Sequence, residues 1–383
     1  MRHSLRRALL LGCLMLPMGL AAGAARADIT IGAILSITGP TAAQGVGYKG
    51  AFALMPSEIA GQKITYIIRD DGGDPTAAVT IARKMIAEDH VDAFIGPASN
   101  APLLAVMPVA AEAHVPMIGM SPLVFDAKKY PFTFDDTQPA KLMIQGVVDH
   151  MKAHGVKTVG FIGYSDGWGD QVLDALKADT AGTGIRIVDE ERYARTDTSV
   201  APQVLRALSH HPDAMMLGGS ATPGALPNIA LAARNYKGQV YNNHGVVSPA
   251  YIAVGGAAVQ GCIAPTGPLV VFDQLAADNP VKPVATKFMD DYIAKFGPNS
   301  RNAFAGYSYD ALLIIQAAIP AALKAGAPGT IAFRDALRSG MEHVTNLVGT
   351  HGVYNMTPDD HNGMDGRARV LVEVEGKSWK LIN

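Results

Sequence analysis

Residues 93–102 read AFIGPASNAP, and the fold turns on how this stretch is understood. Ala93-Phe94-Ile95 is a short apolar run, the kind that fills a sheet covered on both faces. Gly96-Pro97 ends it with a turn. Ser99 and Asn100 follow, both good helix N-cap residues, and PLLAVMPVAAEA behind them reads as a helix. A strand that turns directly into a helix is half of a βαβ unit. Its Ser-Asn junction admits two uses. It is a helix cap and nothing more, or it seats an anion where free N–H groups and the helix dipole favour negative charge.

The same unit repeats on both sides. DITIGAILSITGP, from Asp28, is rich in isoleucine and reads as a strand closed by a Gly-Pro turn. VGYKGAFALMPSEIA reads as a helix, KITYIIRDD as a strand, and Asp70-Asp71-Gly72-Gly73-Asp74-Pro75 as a turn. PTAAVTIARKMIAED carries apolar residues at 79, 81, 82, 85 and 86, one face of a helix. VPMIGM is the next strand. The pattern restarts at PAKLMIQGVVDHMKAHG and alternates through TVGFIGYS, GDQVLDALKADTAGTG, IRIVDEERY, SVAPQVLRALSHH, DAMMLGGS, GALPNIALAARNY and GQVYNNHGV. Strict alternation with short connections predicts an α/β fold with parallel, doubly wound sheets. Two lobes of similar size are expected, about 28–142 and 143–267. The tail holds three helical stretches and a final hairpin, ARVLVEVEGKSWKLIN. It is too short for a third domain and is expected to complete the first two.

With 383 residues, 49% hydrophobic and 17% charged, the chain can bury a large core. Residues 1–27 read as a cleavable secretion signal: Arg2, Arg6 and Arg7, an apolar core, then Ala25-Arg26-Ala27. A membrane anchor is the competing reading, disfavoured by Pro17 and the Gly/Ala-rich end. Leu10-Leu11-Gly12-Cys13 resembles a lipobox, but the apolar stretch before Cys13 is very short. Losing Arg2, Arg6, Arg7 and Arg26 makes the remainder four charges more negative than the −2 of the whole chain. An acidic chain does not suit nucleic acid. Cys262 is then the lone cysteine, so no internal disulfide forms, and it reads as a packing residue.

Several motifs tempt an enzyme or metal reading. Gly45-Val46-Gly47-Tyr48-Lys49-Gly50 is a formal G-x-G-x-x-G, but TGPTAAQ separates it from the preceding strand. Gly163-Tyr164-Ser165-Asp166-Gly167 is a formal G-x-S-x-G, which would make Ser165 the nucleophile of a secreted serine hydrolase. Against that, the helix is expected to begin near Gly169 or Asp170, and no HGGG-type segment precedes it. His150 with His154, His210-His211 and Asp359-Asp360-His361 make weak metal patterns. No metal and no cofactor is expected. What remains is the set of strand C-termini, where open α/β sheets bind ligands. They carry Gln44, Ser99-Asn100 and Gly119-Met120-Ser121, then Asp166-Gly167-Trp168, Gly219-Ser220 and Asn242-Asn243-His244. No nucleophile, base and orienter converge there. The set suits holding a small molecule rather than reacting with it.

Taken together, IGAILSITGPTAAQGVGYKGA, RDDGGDPTAAVTIARKMI, FIGPASNAPLLAVMPVAAEAHVPMI, YSDGWGDQ and AFAGYSYDALLII resemble the periplasmic solute-binding proteins of the branched-chain amino acid (Leu/Ile/Val-binding) type, which feed ABC importers. The resemblance covers essentially the whole chain after the signal. It implies a type I periplasmic binding protein fold, two Rossmann-like lobes joined by a three-strand hinge that close on ligand. It implies lobe 1 at 28–142 plus 268–355 and lobe 2 at 143–267 plus 356–383. It implies a periplasmic, monomeric binding protein, not an enzyme, that hands a small carboxylate to a membrane permease.

The resemblance also carries ligand-binding residues onto this chain. The carboxylate-gripping serine falls at Asn100, beside Ser99, and the partners after the next strand at Ser121 and Leu123. The aromatic cover falls at Trp168, the second position of that lobe at Ser220, and the tail's wall residue at Phe304. The acid that pairs with an α-ammonium falls at His244, and a threonine position falls at Leu123. A buried ammonium without a counter-charge is costly. The expected ligand is therefore an aromatic acid of the benzoate or phenylpropanoid kind, as some relatives bind. His244 would meet a ring substituent or a second anionic group. A branched-chain or other amino acid is the alternative, with Glu190 or Asp166 as the substitute acid.

Overall fold

The computed structural model describes residues 28–382, so the leader and Cys13 lie outside the described residues. The first sheet is built from β1 (Ile29–Leu35), β2 (Glu58–Ile59), β3 (Gln62–Asp70), β4 (Ala93–Ile95), β5 (Met117–Gly119) and β6 (Thr133–Asp135), in the order β2-β3-β1-β4-β5-β6. All its pairs are parallel except the short β2–β3. The second sheet starts with β7 (Thr158–Tyr164), β8 (Arg186–Tyr193), β9 (Ala214–Gly218), β10 (Gln239–Asn242) and β11 (Ile263–Thr266), again parallel. A two-residue pair, β12 (Leu347–Val348) and β13 (Val353–Tyr354), follows much later. The hairpin of β14 (Val370–Glu375) and β15 (Ser378–Ile382) then adds antiparallel to β11, giving β15-β14-β11-β10-β9-β7-β8.

The helices follow from the apolar periodicity. α1 (Ala42–Ala51), α2 (Pro75–Ala87) and α3 (Asn100–Glu112) connect strands of the first sheet. α4 (Ala140–Ala153), α5 (Gly167–Thr180), α6 (Ala201–Ser209), α7 (Leu226–Ala232) and α8 (Pro249–Gly255) serve the second. α9 (Lys282–Phe296), α10 (Phe304–Ala325) and α11 (Ile331–Met341) return to the first. Leu312, Ile315 and Ile319 of α10, with Phe333 and Leu337 of α11, share one core with Ile29, Ile31 and Ile95. β1 is buried along nearly its whole length, as a central strand covered on both faces should be. At the end of β4, Gly96 has φ +98°, and a Cβ there would lie 2.1 Å from the Ile34 carbonyl oxygen, so only glycine fits the turn.

Some elements differ from expectation. The helix expected over VGYKGAFALMPSEIA is α1, which starts earlier, at Ala42, and ends at Ala51 with one 3₁₀ turn beyond it. Pro56 forbids the longer helix. That places Gly45, Gly47 and Gly50 inside a helix, not in a phosphate-cradling loop. α5 begins at Gly167, not at Gly169 or Asp170, because Asp166 caps it. β6, α8 and β11 were not anticipated. β11 contains Pro265, whose missing N–H makes the segment read as a loop.

The chain passes between the sheets three times, after Asp135, after Thr266 and between Tyr354 and Val370. Along the last passage Met356 and Met364 still pack on the first core, and the His361 ring stacks 4.1 Å from that of Phe134. The return to the second sheet therefore falls after Met364, not at 356. Among the described residues no helix is long and apolar enough to cross a membrane.

Candidate functional site

On the first lobe the cleft is lined by the start of α3. Ser99 has the extended backbone of an N-cap, yet its hydroxyl does not cap the helix. It lies 2.9 Å from Ser36 Oγ, which donates to Asp71 Oδ1 at 2.7 Å. Asn100 is equally engaged: its Nδ2 donates to the Pro122 carbonyl at 3.1 Å, and its Oδ1 accepts from the Ser121 hydroxyl. These bonds hold the junction rigid while leaving the first turn of α3 without a side-chain cap. An uncapped helix N-terminus beside polar residues favours an anion.

On the second lobe, Asp166 Oδ1 accepts from the N–H groups of Trp168 at 3.0 Å and Gly169 at 3.3 Å, which fixes the first turn of α5 and the indole it carries. The same carboxylate accepts from Arg195 Nε through Oδ2 at 2.5 Å. Arg195 Nη1 donates to Ser220 Oγ at 3.1 Å, and the guanidinium lies 4.4 Å from the centre of the Tyr164 ring. Arg195 thus ties together the loops after β7, β8 and β9. His244 stands edge-on to Trp168, ring centres 5.3 Å apart. It is buried, and neither ring nitrogen has a hydrogen-bond partner among the described residues. Burial, with a smaller contribution from His351, pushes its pKa down to about 3, so the ring is neutral at pH 7. Its neighbours are structural. Asn243 donates to the carbonyls of Leu217 and Gly219, and Asn242 to Cys262 Sγ.

Tyr48, Phe304 and Tyr307 form an aromatic wall, with Tyr48 and Phe304 edge-to-face at 5.6 Å. Behind it lie three buried acids, Asp135, Asp136 and Asp310. Burial pushes Asp135 up to about 7 and Asp310 up to about 6, and holds Asp136 well above the carboxylate range. Across the cleft, Gln44 Nε2 donates to the Gly245 carbonyl at 2.8 Å.

Gln44, Ser99, Asn100, Ser121, Trp168, Ser220, His244 and Phe304 all line this one cleft. Leu123 is not among them. It packs beside the core of Ile34, Phe94 and Leu103, and its N–H donates to Asp135 Oδ2 at 3.1 Å. The sequence reading missed Arg195, Tyr48, Tyr307 and Thr137, which line the cleft as well. Arg195 follows the end of β8 by two residues, so the rule about strand C-termini could have found it. Tyr48 and Tyr307 repeat at helical spacing from Gln44 and Phe304.

The competing motifs have structural occupations. Ser165 is exposed, and no hydrogen bond joins it to a histidine among the described residues. His150 and His154 stack on each other, and His150 Nδ1 lies 2.9 Å from the Tyr241 hydroxyl. Among the described residues no group of three or more potential ligands is placed to hold a metal. Cys262 is buried, and burial pushes its thiol up to about 11, so it is inert. Glu190 pairs with Lys177 at 2.9 Å and does not line the cleft.

Residues 28–377 match the family model described as periplasmic binding protein. The Leu/Ile/Val-binding protein BraC3 of Rhizobium johnstonii is 27% identical over 336 residues, 84% of this chain and 87% of that one. A solved extracellular ligand-binding receptor from Rhodopseudomonas palustris HaA2 is 38% identical, with a TM-score of 0.90 over 93% of this chain and all of that one. The isoleucine complex of LivJ from Streptococcus pneumoniae shares the fold, with a TM-score of 0.79 at 16% identity over 93% of this chain and 99% of that one.

Proposed function

The chain belongs to the periplasmic binding protein family, and from that premise we propose that it captures a small carboxylate without an α-ammonium, an aromatic acid, between its lobes for delivery to an ABC permease. One observation carries the reading. Asp166 is the one acid among the described residues at the cleft, and His244 stands where an amino-acid binder would need one. Asp166, the nearest substitute, is spent on Arg195 and on the cap of α5. The acids behind the aromatic wall are held toward their neutral forms. An ammonium buried here would lack a counter-charge. The uncapped start of α3 supports a carboxylate at the first lobe, and Trp168 with Phe304 supports an apolar, aromatic body between the poles. The apparatus for export belongs to the same proposal: a cleaved leader at residues 1–27, action as a monomer in the periplasm, and no chemistry at Ser165.

A branched-chain amino acid ligand is the second reading. It is favoured by the curated relatives, which are named Leu/Ile/Val-binding proteins. A thermal-shift screen separates the two, because a ligand that binds only the folded state raises the melting temperature. The panel holds benzoates, cinnamates, phenylglyoxylate and the twenty amino acids. Shifts with aromatic acids alone are expected. A shift with leucine or valine alone would establish the second reading instead.

A further inference from the structure

Resting on the carboxylate reading, we infer that the far end of the ligand carries a neutral hydroxyl that His244 recognises, with Arg195 and Ser220 beside it. Three features of the second lobe lead there. His244 is only 5% exposed and lines the cleft, yet both of its ring nitrogens lack partners among the described residues. A buried polar group with nothing to bond is expensive, so the bound state should supply what is missing. A neutral imidazole offers one donor and one acceptor. Burial keeps this ring neutral. A hydroxyl is the smallest group that can answer either nitrogen.

Charge decides against the other candidates. Arg195 and Asp166 are the charged side chains among the described residues at the cleft, and they neutralise each other at 2.5 Å. The far pole is therefore polar but carries no net charge. A second carboxylate would be buried there without a free cation. An aliphatic end, such as leucine's, would seal both imidazole nitrogens away from water without a bond. A bare phenyl ring would do the same. The cleft thus selects hydroxylated acids over unsubstituted acids, over diacids and over aliphatic amino acids.

Isothermal titration of the purified protein with benzoate, 4-hydroxybenzoate, terephthalate and L-leucine tests this. 4-Hydroxybenzoate should bind roughly 10–100-fold more tightly than benzoate, the range that one satisfied buried hydrogen-bonding group confers. In His244→Leu that ratio should fall toward one, with a melting curve recorded to show that the variant folds. The wild-type series decides the matter even if the variant does not. Benzoate bound as tightly as 4-hydroxybenzoate overturns this inference and leaves the carboxylate reading standing. Terephthalate bound most tightly overturns it in favour of a second anion. Leucine bound with no aromatic acid bound overturns both readings together.

Discussion

Trp168 and Asp136 are two buried residues with opposite consequences for the molecule. Trp168 lines the cleft and makes no strong hydrogen bond, its Nε1 lying 3.5 Å from the Gly219 carbonyl, so its part in binding is its surface. Trp168→Ala should weaken ligand binding on the order of 30-fold or more, as removal of a buried aromatic anchor does, while the far-ultraviolet circular dichroism stays that of the wild type. Titration calorimetry measures the loss, and unchanged affinity would remove Trp168 from the site. Asp136 has both carboxylate oxygens buried without hydrogen-bond partners among the described residues, near enough to Asp135 and Asp310 to feel their charge. Its native pKa is raised far above the unfolded value of about 3.9. Above the unfolded value the unfolded chain sheds a proton that the native chain still keeps, because burial first and then the neighbouring Asp135 and Asp310 raise the native pKa. Rising pH therefore draws on stability, by up to about 1.4 kcal/mol per unit. Asp136→Asn removes the Asp136 share of this dependence, while Asp135 and Asp310, raised to about 7 and about 6, keep theirs, so its gain in melting temperature should be larger at pH 8 than at pH 5. His244 and His351, with depressed pKa values of about 3 and about 4, lose stability as pH falls below about 6.5. That loss is common to both proteins and cancels in the comparison. An equal gain at both pH values would show that Asp136 does not hold its proton.

At the scale of the element, α5 shows how one carboxylate serves fold and site together. Asp166 caps the helix that presents Trp168 and holds Arg195 against Ser220. Asp166→Ala should cost about 1 kcal/mol of stability from the lost cap. It should also weaken ligand binding, because Arg195 is left as an unanswered cation beside the cleft and Trp168 loses its anchor. Urea unfolding reads the first effect and calorimetry the second. Lost stability with intact affinity would reduce Asp166 to a cap. Apolar spacing makes α5 legible in the sequence, but it places the start near Gly169 or Asp170, two or three residues late, because the cap that Asp166 supplies is a matter of local geometry. Likewise Ser99 and Asn100 were legible as a helix start. That Ser36, Pro122 and Ser121 would claim their side chains was not, because those partners come from the loops after β1 and β5.

For the whole molecule, the bond from Gln44 to the Gly245 carbonyl joins residues 201 apart in sequence and exists only while the lobes face each other. Gln44→Ala should weaken ligand binding by roughly 3–10-fold, the worth of one ordinary hydrogen bond, with little change in the stability of either lobe. Solution scattering should show the protein contracting when its ligand is added, and less completely in the variant. Equal dimensions with and without ligand would argue against closure by a hinge.

Local periodicity settled much from the sequence alone. Alternating apolar runs and amphipathic helices with short connections admit a doubly wound fold, and the ends of its strands mark where a ligand sits. Most of the cleft-lining residues lie at those ends, which is why they could be read. Leu123 could not be excluded that way, because its place depends on a bond to Asp135 and on the packing of the first core. Arg195 was passed over because its neutralisation by Asp166 is a contact between two loops, 29 residues apart. The charge of the far pole, the isolation of His244 and the burial of Asp136 are likewise sums over neighbours brought in from distant segments. Periodicity is a property of nearby residues and is written along the chain. Electrostatic balance and hydrogen-bond satisfaction are properties of a volume, and only the folded chain assembles that volume.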